Sequence, residues 1–382
     1  MRDGILLQKD ASTVNVHRVL RTIWLNRGVS RVELAHMLNL DKSTITKIVN
    51  DLIGQGIVEA FAEGSSSRQG GRKPIYLSVK KDAGCILGIE IQTEKYTVVG
   101  VNLDNEIIFS RSCSIDLSIN SIQTAFFDIL KSASVDVENS GLPLLGAGVG
   151  MSGIIDPYKG IIYQSFPLKI KEAIDFYSPL ERIISVPVRI ENDANCCCWA
   201  ELVHLKSMRP KNFIFILGEF RKEETSDREP GGLAIGMGLV LNGSVHYGEN
   251  FSAGEFRSAF RTGDNKSQFS LPDEKIKLAE SDPAVFCEVA HELGKNLAVL
   301  VNTLNLSHVF VGGSIEKYRD LIVPIFKEEI QKNWAYGNPV DCSIHISEFG
   351  DRIVAFGAAG MFLEQLFGIP DQEQEERANG SL

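Results

Sequence analysis

Apolar residues near the N-terminus recur at helical spacing. An i, i+3, i+4, i+7 pattern predicts an amphipathic helix over residues 12–26, which Gly28 ends. The apolar positions are Val16, Val19, Leu20 and Ile23. Ser30 and Glu33 then match the capping-box pattern, in which each side chain satisfies a free backbone donor of the other residue. This predicts a second helix that ends near Leu38, followed by a short turn at Asn39 and Leu40.

A third helix, which Asp41 caps, combines an apolar face with a polar face. The apolar face consists of Ile45, Ile48, Val49, Leu52 and Ile53. The polar face consists of Ser43, Thr44, Thr46, Lys47 and Asn50. Short hydrogen-bonding groups and one cation suit base edges and phosphates in a major groove, so the pattern predicts a helix-turn-helix that binds DNA. The alternative is a three-helix bundle whose polar face contacts only solvent.

Two strand-like segments follow this helix, at residues 57–62 and 74–79. The loop between them is rich in glycine and serine and basic at its end. This order predicts a winged helix-turn-helix domain over residues 1–81, in which Arg68, Arg72 and Lys73 reach the minor groove or the phosphates. A disordered linker is the alternative, but the brevity of the loop favours a wing.

Strands alternate with helices from residue 83 onwards. We expect strands over 85–91, 97–103, 107–114, 144–151, 188–191, 213–217, 233–241, 308–311 and 342–347. We expect helices over 121–135, 194–204, 283–304, 316–332 and 353–367. Such alternation is typical of an α/β domain, which we place at residues 82–369. The polar residues 370–382 are expected to form a frayed tail.

The charge is divided unevenly between these two regions. Residues 1–81 carry 13 Lys+Arg against 7 Asp+Glu, a balance of +6, whereas the whole chain has a formal net charge of −10. Residues 82–382 therefore carry a balance of −16. A basic head on an acidic body indicates that the head meets a polyanion.

The composition is that of an ordinary globular protein, with 44% hydrophobic and 23% charged residues. No run of about 18 apolar residues predicts a membrane span, and the first residues lack the apolar core of a signal peptide. The 7 cysteines are an odd number without disulfide-like spacing. We therefore expect a cytoplasmic protein without a membrane partner.

Six motifs are informative together. They are G-G-R-K-P at 70–74, G-V-G-M-S-G at 148–153, E-N-D-A-N at 191–195, A-G-E at 253–255, V-G-G at 311–313 and G-A-A-G at 357–360. With the winged head, they resemble the ROK family (repressor, open reading frame, kinase), which includes sugar repressors and bacterial glucokinases. The resemblance covers nearly all of residues 12–367. It implies a two-lobed, actin-like domain of the sugar-kinase type, with a cleft between the lobes.

The resemblance also implies a sugar site. Asp193 matches the base that takes a proton from the attacking sugar hydroxyl in a kinase, and in a sensor it can accept a hydrogen bond from that hydroxyl. Asn192 resembles the adjacent amide that binds hydroxyls, and Glu255 matches the glutamate of the family's G-E-I-G-H motif. Ser152 and Gly153 lie in the turn that is close to the sugar in the family. From the residues alone, a helix N-cap at 193–195 and a plain tight turn at 148–153 remain alternatives.

The phosphate-binding motifs of the family are altered. The kinases carry D-I-G-G-T, whose backbone amides cradle phosphate, but residues 90–94 read E-I-Q-T-E and contain no glycine. The second loop, G-T-G-I-G in the family, reads G-L-A-I-G at 232–236. Because phosphoryl transfer depends on positioning and electrostatics, we expect neither ATP binding nor kinase activity, and Asp193 becomes a vestigial base.

The zinc site of the family is also altered. Its histidine and three cysteines suit tetrahedral zinc, but here Arg257 and Ser258 replace Gly-His, and no cysteine occurs between residues 199 and 286. Cys196, Cys197 and Cys198 point about 100° apart on a helix, so they cannot close on one metal, and core packing is expected. We expect no metal and no other cofactor. Ser258 replaces a sugar-binding histidine, and Arg257 either contacts a carboxylate or phosphate of the effector or is a surface arginine.

These observations predict a sugar-responsive transcriptional repressor of carbohydrate-utilisation genes. We expect a homodimer or a dimer of dimers that binds a pseudo-palindromic double-stranded operator, with a sugar or sugar derivative as the effector. The alternatives are an ATP-dependent sugar kinase with an appended DNA-binding head and an architectural regulator whose body binds no ligand.

Overall fold

The structure is a computed structural model that describes residues 11–63, 74–117, 121–181, 183–206, 208–221, 231–263 and 265–368. A small N-terminal head is followed by a body of two lobes, each built on a five-stranded β-sheet. The predicted architecture, a winged helix-turn-helix followed by an actin-like α/β domain, is confirmed.

The head contains three helices and a three-stranded sheet. Its elements are α1 (Ala11–Leu25), β1 (Val29–Ser30), α2 (Arg31–Leu38), α3 (Lys42–Gly54), β2 (Val58–Glu63) and β3 (Ile75–Val79). β3 pairs in antiparallel fashion with both β2 and β1. The sequence pattern did not predict β1, because two residues are too few to show a period of two. The wing loop, with Arg68, Arg72 and Lys73, lies outside the described residues.

The ends of the head helices follow the local sequence, with one exception. Ser30 Oγ accepts a hydrogen bond from Glu33 N at 3.3 Å, and Ser30 N donates to Glu33 Oε2 at 2.8 Å, so the predicted capping box is present. Asn39 ends α2 with a left-handed φ of 52°. Asp41 precedes α3 as expected, but its side chain makes no capping hydrogen bond, which corrects the prediction.

The first lobe surrounds a mixed sheet with the strand order β11-β7-β4-β5-β6. Its elements are β4 (Cys85–Ile91), β5 (Lys95–Asn102), β6 (Ile107–Ser114), α4 (Ile122–Ser140), β7 (Leu144–Met151), β8 (Ile154–Asp156), β9 (Ile161–Gln164), β10 (Ile174–Asp175), α5 (Tyr177–Glu181) and β11 (Val188–Asn192). β4, β5 and β6 are antiparallel neighbours, whereas β4, β7 and β11 run parallel. The parallel pairs need crossover connections, which α4 supplies between β6 and β7.

The second lobe repeats this arrangement, with the order β14-β13-β12-β15-β16. Its elements are α6 (Asp193–His204), β12 (Phe213–Arg221), β13 (Gly232–Leu241), β14 (Ser244–Val245), α7 (Asp273–Ile276), α8 (Pro283–Leu304), β15 (His308–Gly312), α9 (Arg319–Lys332), β16 (Ser343–Ile346) and α10 (Ile353–Phe367). β12, β15 and β16 are parallel, and α8 and α9 form the crossovers.

Helices α6 and α10 lie between the two sheets and cross each other closely. Close approach requires glycine: a Cβ built on Gly357 would lie 1.8 Å from the carbonyl oxygen of Cys196. In the same way, a Cβ on Gly88 or Gly148 would lie 1.9 or 2.0 Å from a backbone oxygen of α10. A helix therefore sits directly on β4 and β7, which fixes the start of α6 relative to the first sheet.

The three successive cysteines are packing residues of α6, as predicted. Cys196, Cys197 and Cys198 are fully buried. Cys196 Sγ and Val354 together fill the space above Gly150 of the first sheet. Cys198 Sγ and the carbonyl oxygen of Ala194 fill the space above Gly238 of the second sheet. Residues two apart on a helix point in nearly opposite directions, so α6 contacts both lobes through its thiols.

The head is docked on the body through α1. Trp24 is 2% exposed, its Nε1 donates to the carbonyl oxygen of Leu103 at 3.1 Å, and its ring stacks on Phe367 of α10 at 5.0 Å. Asp104 accepts ion pairs from Lys206 at 2.6 Å, just beyond α6, and from Arg27 of the head at 3.4 Å. The head and the body consequently share one continuous hydrophobic core.

Candidate functional site

A cavity of about 450 Å³ opens between the lobes, where β7 and β11 end and α6 begins. Ligands of open α/β sheets bind at the carboxyl ends of parallel strands, and the volume suits a small molecule. Six of the predicted sugar-binding residues line this cavity. They are Ser152, Gly153, Asn192, Asp193, Glu255 and Arg257.

Asn192 and Asp193 form the junction of β11 and α6. Asn192 is the N-cap of α6, and its Oδ1 accepts from Asn195 N at 3.1 Å. Its Nδ2 donates to the carbonyl oxygen of Gly153 at 3.0 Å. The amide is thus held in one orientation and retains one N–H and one lone pair for a ligand. The capping role and a ligand role can therefore coexist at Asn192.

Asp193 is half-buried in the cavity wall. Burial raises the pKa of this carboxyl group, while the hydrogen bond from the Ala194 N–H and the positive charge of Arg221 oppose that effect. An acceptor of this kind can bind a sugar hydroxyl that donates a hydrogen bond.

Gly153 needs to be glycine. Its φ is +129°, and a Cβ there would lie 2.3 Å from the carbonyl oxygen of Gln164. The turn after β7 therefore packs against the end of β9 and presents its backbone at the cavity.

The segment after β14 supplies the opposite wall through Glu255 and Arg257, which are both exposed. Ser258 does not line the cavity. It is buried, and its Oγ accepts from Asn296 Nδ2 at 3.1 Å and from Phe260 N at 3.2 Å. We therefore reassign Ser258 from a sugar ligand to a residue that fixes this loop.

The first phosphate position of the kinases is occupied here by acidic and amide side chains. Glu90 is buried at the end of β4, and Gln92 Nε2 donates to its carboxylate. Burial raises the pKa of Glu90 to about 8 against this hydrogen bond, and the negative charges of Glu219 and Asp193 raise it further. Glu90 is therefore protonated at neutral pH, and an acid and an amide side chain stand where the backbone amides of a glycine loop would cradle phosphate.

Glu219 lies against the V-G-G motif at the end of β15. A Cβ built on Gly313 would lie 2.6 Å from Glu219 Oε1, so the carboxylate fills the space beside this glycine. Burial raises the pKa of Glu219, and hydrogen bonds from the hydroxyl and the backbone N–H of Ser314 oppose that effect. The V-G-G backbone thus faces a carboxylate of the protein itself.

The second phosphate loop is likewise engaged internally. Ile235 N donates to Gln268 Oε1 at 2.7 Å, and Gln268 Nε2 donates to the carbonyl oxygens of Ile235 at 2.7 Å and Phe256 at 2.9 Å. Gln268 thereby ties the altered loop to the segment that carries Glu255 and Arg257. An N–H that is already bonded to a side chain is not free to bind phosphate.

Hydrogen bonds also hold the segment that corresponds to the family's zinc loop. Asn265 Nδ2 donates to the carbonyl oxygens of Ser270 at 3.0 Å and Leu271 at 2.9 Å. Asp273 accepts from Ser267 N at 2.8 Å and from Lys266 N at 3.0 Å. Within the described ranges, no three His, Cys, Asp or Glu side chains are placed to hold a metal ion.

The predicted DNA-binding face of α3 is accessible. Ser43, Thr46, Lys47 and Asn50 are exposed and Thr44 is half-buried. The apolar positions of the same helix are buried, except for the half-buried Ile53. Asn50 Oδ1 accepts from Arg31 of α2 at 3.0 Å, which adds an arginine that the sequence analysis did not single out. Both side chains lie on the surface that would face a duplex.

Sequence reasoning missed several groups at the cavity. Phe166, Gln268 and Arg221 line it, as does the amide of Asn195, whose Oδ1 is buried without a hydrogen-bond partner among the described residues. The last position of E-N-D-A-N was a signal for Asn195, because it lies three residues after Asn192 and residues i and i+3 share a helix face. Phe166 and Gln268 come from irregular segments, which have no periodic pattern, and Arg221 ends β12 beyond the part of that strand that the sequence pattern predicted.

No helix among the described residues has the length and apolar composition needed to cross a membrane.

Two family profiles match the chain. One described as "ROK family" matches residues 86–257, and one described as "MarR family" matches residues 13–68. The first lies over the cavity residues from β7 to Arg257, and the second covers the three head helices and β2.

Curated relatives resemble the chain over most of its length. A xylose repressor of Caldicellulosiruptor bescii is 23% identical, over 94% of this chain and 97% of its own. A xylose repressor of Staphylococcus xylosus is 28% identical, over 80% of this chain and 76% of its own.

Solved structures share the fold. A ROK family transcriptional regulator, described as a homologue of the E. coli MLC protein, superposes with a TM-score of 0.68 and 19% identity, over 93% of this chain and 96% of that one. A ROK glucokinase of Streptomyces griseus, solved with glucose and AMPPNP, gives a TM-score of 0.55 and 17% identity, over 73% of this chain and 99% of that one. The regulator covers the head as well as the body, whereas the glucokinase leaves about a quarter of this chain unmatched.

Proposed function

We propose that this chain, which belongs to the ROK family, is a DNA-binding transcriptional repressor of carbohydrate-utilisation genes that responds to a sugar or sugar derivative. One observation carries the proposal: the cleft keeps groups that bind hydroxyls but fills its phosphate-binding positions with its own side chains. Asn192 and Asp193 line the open cavity, whereas Glu219 fills the space beside Gly313 and Gln268 binds the N–H of Ile235 in the altered second loop. The accessible polar face of α3 supplies the DNA-binding half of the function.

The effector binds at the cavity and changes the affinity of the head for DNA. Asp193 and Glu255 accept hydrogen bonds from sugar hydroxyls, Asn192 contributes its remaining N–H, and Ser152 and Gly153 contact the sugar from the turn after β7. Arg257 contacts the outer end of the effector. A ligand shifts DNA affinity only if it binds the two arrangements of the lobes with different affinities. Because the head is docked on the body, a change in the arrangement of the lobes can reach the DNA-binding helix.

The operator is a pseudo-palindromic duplex that a homodimer or a dimer of dimers binds, with half-sites one or two helical turns apart. Residues of α3 enter the major groove, and the basic wing residues contact the backbone or the minor groove. Names of the relatives support a repressor, since the similar proteins of Caldicellulosiruptor and Staphylococcus are both xylose repressors.

The body is not a kinase in this proposal. Binding of ATP is disfavoured because Glu90 and Gln92 replace the glycines of the first loop, Glu219 fills the space beside Gly313, and the N–H of Ile235 is already bonded to Gln268. The sugar hydroxyl that Asp193 binds therefore has no phosphoryl group to attack. Zinc is also dispensable, because Asn265 and Asp273 hold the corresponding loop by hydrogen bonds.

The test is a titration of the full-length protein onto a labelled duplex from its own upstream region, at several salt concentrations, with and without D-xylose, D-glucose and N-acetyl-D-glucosamine. We expect salt-dependent binding that one sugar alters by about fivefold or more. Absence of salt-dependent binding would overturn the proposal. Salt-dependent DNA binding that none of the three sugars alters would instead favour a regulator whose body binds no ligand.

The competing function is an ATP-dependent sugar kinase with a DNA-binding head, which the retained Asp193 favours. An ADP-release assay with the same sugars separates the two functions. Turnover that Asp193→Asn abolishes would establish the kinase; we expect no turnover in either protein.

A further inference from the structure

Glu191, the residue before Asn192, is fully buried and is the acceptor for four donors. Its Oε1 accepts from Asn192 N at 2.8 Å and from Asn195 Nδ2 at 3.2 Å. Its Oε2 accepts from Tyr247 Oη at 2.7 Å and from Trp199 Nε1 at 3.3 Å. Both carboxylate oxygens are therefore occupied by partners with defined positions.

These donors come from both walls of the cavity. Asn192, Asn195 and Trp199 belong to the end of β11 and to α6. Tyr247 lies beyond β14, at the start of the segment that continues to Glu255 and Arg257. The backbone of that segment is also anchored at Tyr247, whose carbonyl oxygen accepts from Ala253 N at 3.2 Å.

Tyr247 is held by aromatic neighbours as well. Its ring meets Tyr158, in the turn between β8 and β9, edge-on at 5.7 Å, and Phe251 at 6.1 Å. Phe251 itself lines the cavity. A shift of the Tyr247 hydroxyl would therefore move a side chain that borders the ligand.

We propose that Glu191 is a positioning residue of the sugar site, which fixes the distance between the Asn192–Asn195 wall and the wall that carries Glu255 by holding Tyr247. The inference rests on the proposed sugar-binding function. Glu191 does not line the cavity, so it acts through Asn192, Asn195 and Tyr247 rather than by touching the sugar.

A stability role alone does not account for this carboxylate. Removing a carboxylate from water costs free energy, and an apolar residue of similar volume often gives an equally stable core. Burial raises the pKa of Glu191 to about 6, although hydrogen bonds from Tyr247, Asn192, Asn195 and Trp199 oppose the shift. The ionised form is nonetheless the one that can accept all four hydrogen bonds, because a protonated carboxyl must donate one.

This chemistry gives the site a pH dependence. The titratable groups near Glu191 are Tyr247, Tyr177 of α5, and Cys196 and Cys198 of α6. Cys196 also interacts electrostatically with Asp193 and Glu90. The phenol and thiols have raised pKa values and stay neutral below pH 8. Sugar affinity is therefore expected to fall as the pH drops through 6, and this fall should be smaller when residue 191 cannot titrate, because the carboxyl group of Asp193 remains in the site.

Titration calorimetry of the full-length protein with D-xylose, D-glucose and N-acetyl-D-glucosamine at pH 5.5 and 7.5 tests the proposal. Tyr247→Phe removes one donor but keeps the ring, and Glu191→Gln keeps the size of the side chain. Tyr336→Phe, at a tyrosine that is 68% exposed, is the matched control. We expect about five- to tenfold weaker binding for Tyr247→Phe at pH 7.5, no change for the control, and a smaller pH effect for Glu191→Gln.

The outcomes separate this inference from the proposed function. If the wild-type protein binds none of the three sugars, the proposed function fails and the inference falls with it. If the wild type binds a sugar and Tyr247→Phe binds it equally well, the positioning role is wrong while the proposed function stands. If Glu191→Gln does not fold, Tyr247→Phe alone decides, with its melting temperature showing that the fold is intact.

Discussion

Replacing Trp24 should uncouple the sugar site from DNA binding. The indole joins the head to the body through the Leu103 carbonyl, the Phe367 ring and the Lys206 ammonium, which lies 5.4 Å from the ring centroid. Lys206 follows α6 by two residues, and Asp193 begins that helix. A helix of 12 residues spans about 18 Å, so one rigid element connects the cavity with the docking surface.

The magnitude follows from these contacts. Trp24→Phe keeps an aromatic ring but leaves the buried Leu103 carbonyl without its donor, which costs about 1–2 kcal/mol. Trp24→Ala also opens a cavity and costs about 3–5 kcal/mol. A loss of about 1 kcal/mol at the docking surface reduces the ratio of DNA affinities without and with sugar by up to about fivefold.

The assay is the DNA titration with and without sugar, combined with thermal unfolding. Trp334→Phe is a matched control, because the indole N–H of Trp334 is buried without a partner among the described residues. Asp104→Asn perturbs the same docking surface from the body side, so it leaves the core of the head untouched. A sugar response that is unchanged in both Trp24→Phe and Asp104→Asn would refute the reasoning.

Three further predictions concern packing, DNA and pH. Gly357→Ala should lower the free energy of unfolding by about 2 kcal/mol or more, because the new Cβ would meet a backbone oxygen. Gly337 has open space around it, so Gly337→Ala should change the free energy of unfolding by less than about 0.5 kcal/mol. Thermal denaturation of the two variants checks this difference. Lys47→Ala should reduce the slope of log K against log salt by about 1, whereas Lys131→Ala on the body should not. The pKa of Glu90 in the folded state, about 8, exceeds its ordinary value of 4.5. The stability that its bound proton contributes is therefore complete below pH 4.5 and is lost as the pH rises through 8. Glu90→Gln should show a flatter dependence of melting temperature on pH.

Long periodic segments could be predicted from the sequence. The bounds of α8 and α10 match the expectation, because α8 has Pro283 at its start and an apolar stripe, and α10 is apolar from Ile353 to Leu363. The helix expected over 316–332 starts later, at Arg319, because residues 314–318 form a 3-10 turn. The small sheet of β8, β9 and β10 was missed because strands of two to four residues are too short to show alternation.

The site was predictable where motifs are local and not where contacts are distant. Asn192 and Asp193 follow from one pentapeptide. The contact of Glu219 with Gly313 joins residues almost a hundred positions apart, and nothing in either segment signals the other. Ser258 was assigned to the cavity because of its place in a motif, but the replacement of histidine by a short hydroxyl lets it turn towards Asn296 instead.

The three buried thiols of α6 can report on the separation of this helix from the two sheets. Burial raises the pKa values of Cys196, Cys197 and Cys198 well above the ordinary range, and thiolate is the form that reacts with alkylating reagents and oxidants. Two of these sulfurs help to fill the spaces above Gly150 and Gly238, on opposite sheets. Their alkylation must wait until a sheet separates from the helix, so its rate measures how often the two lobes part.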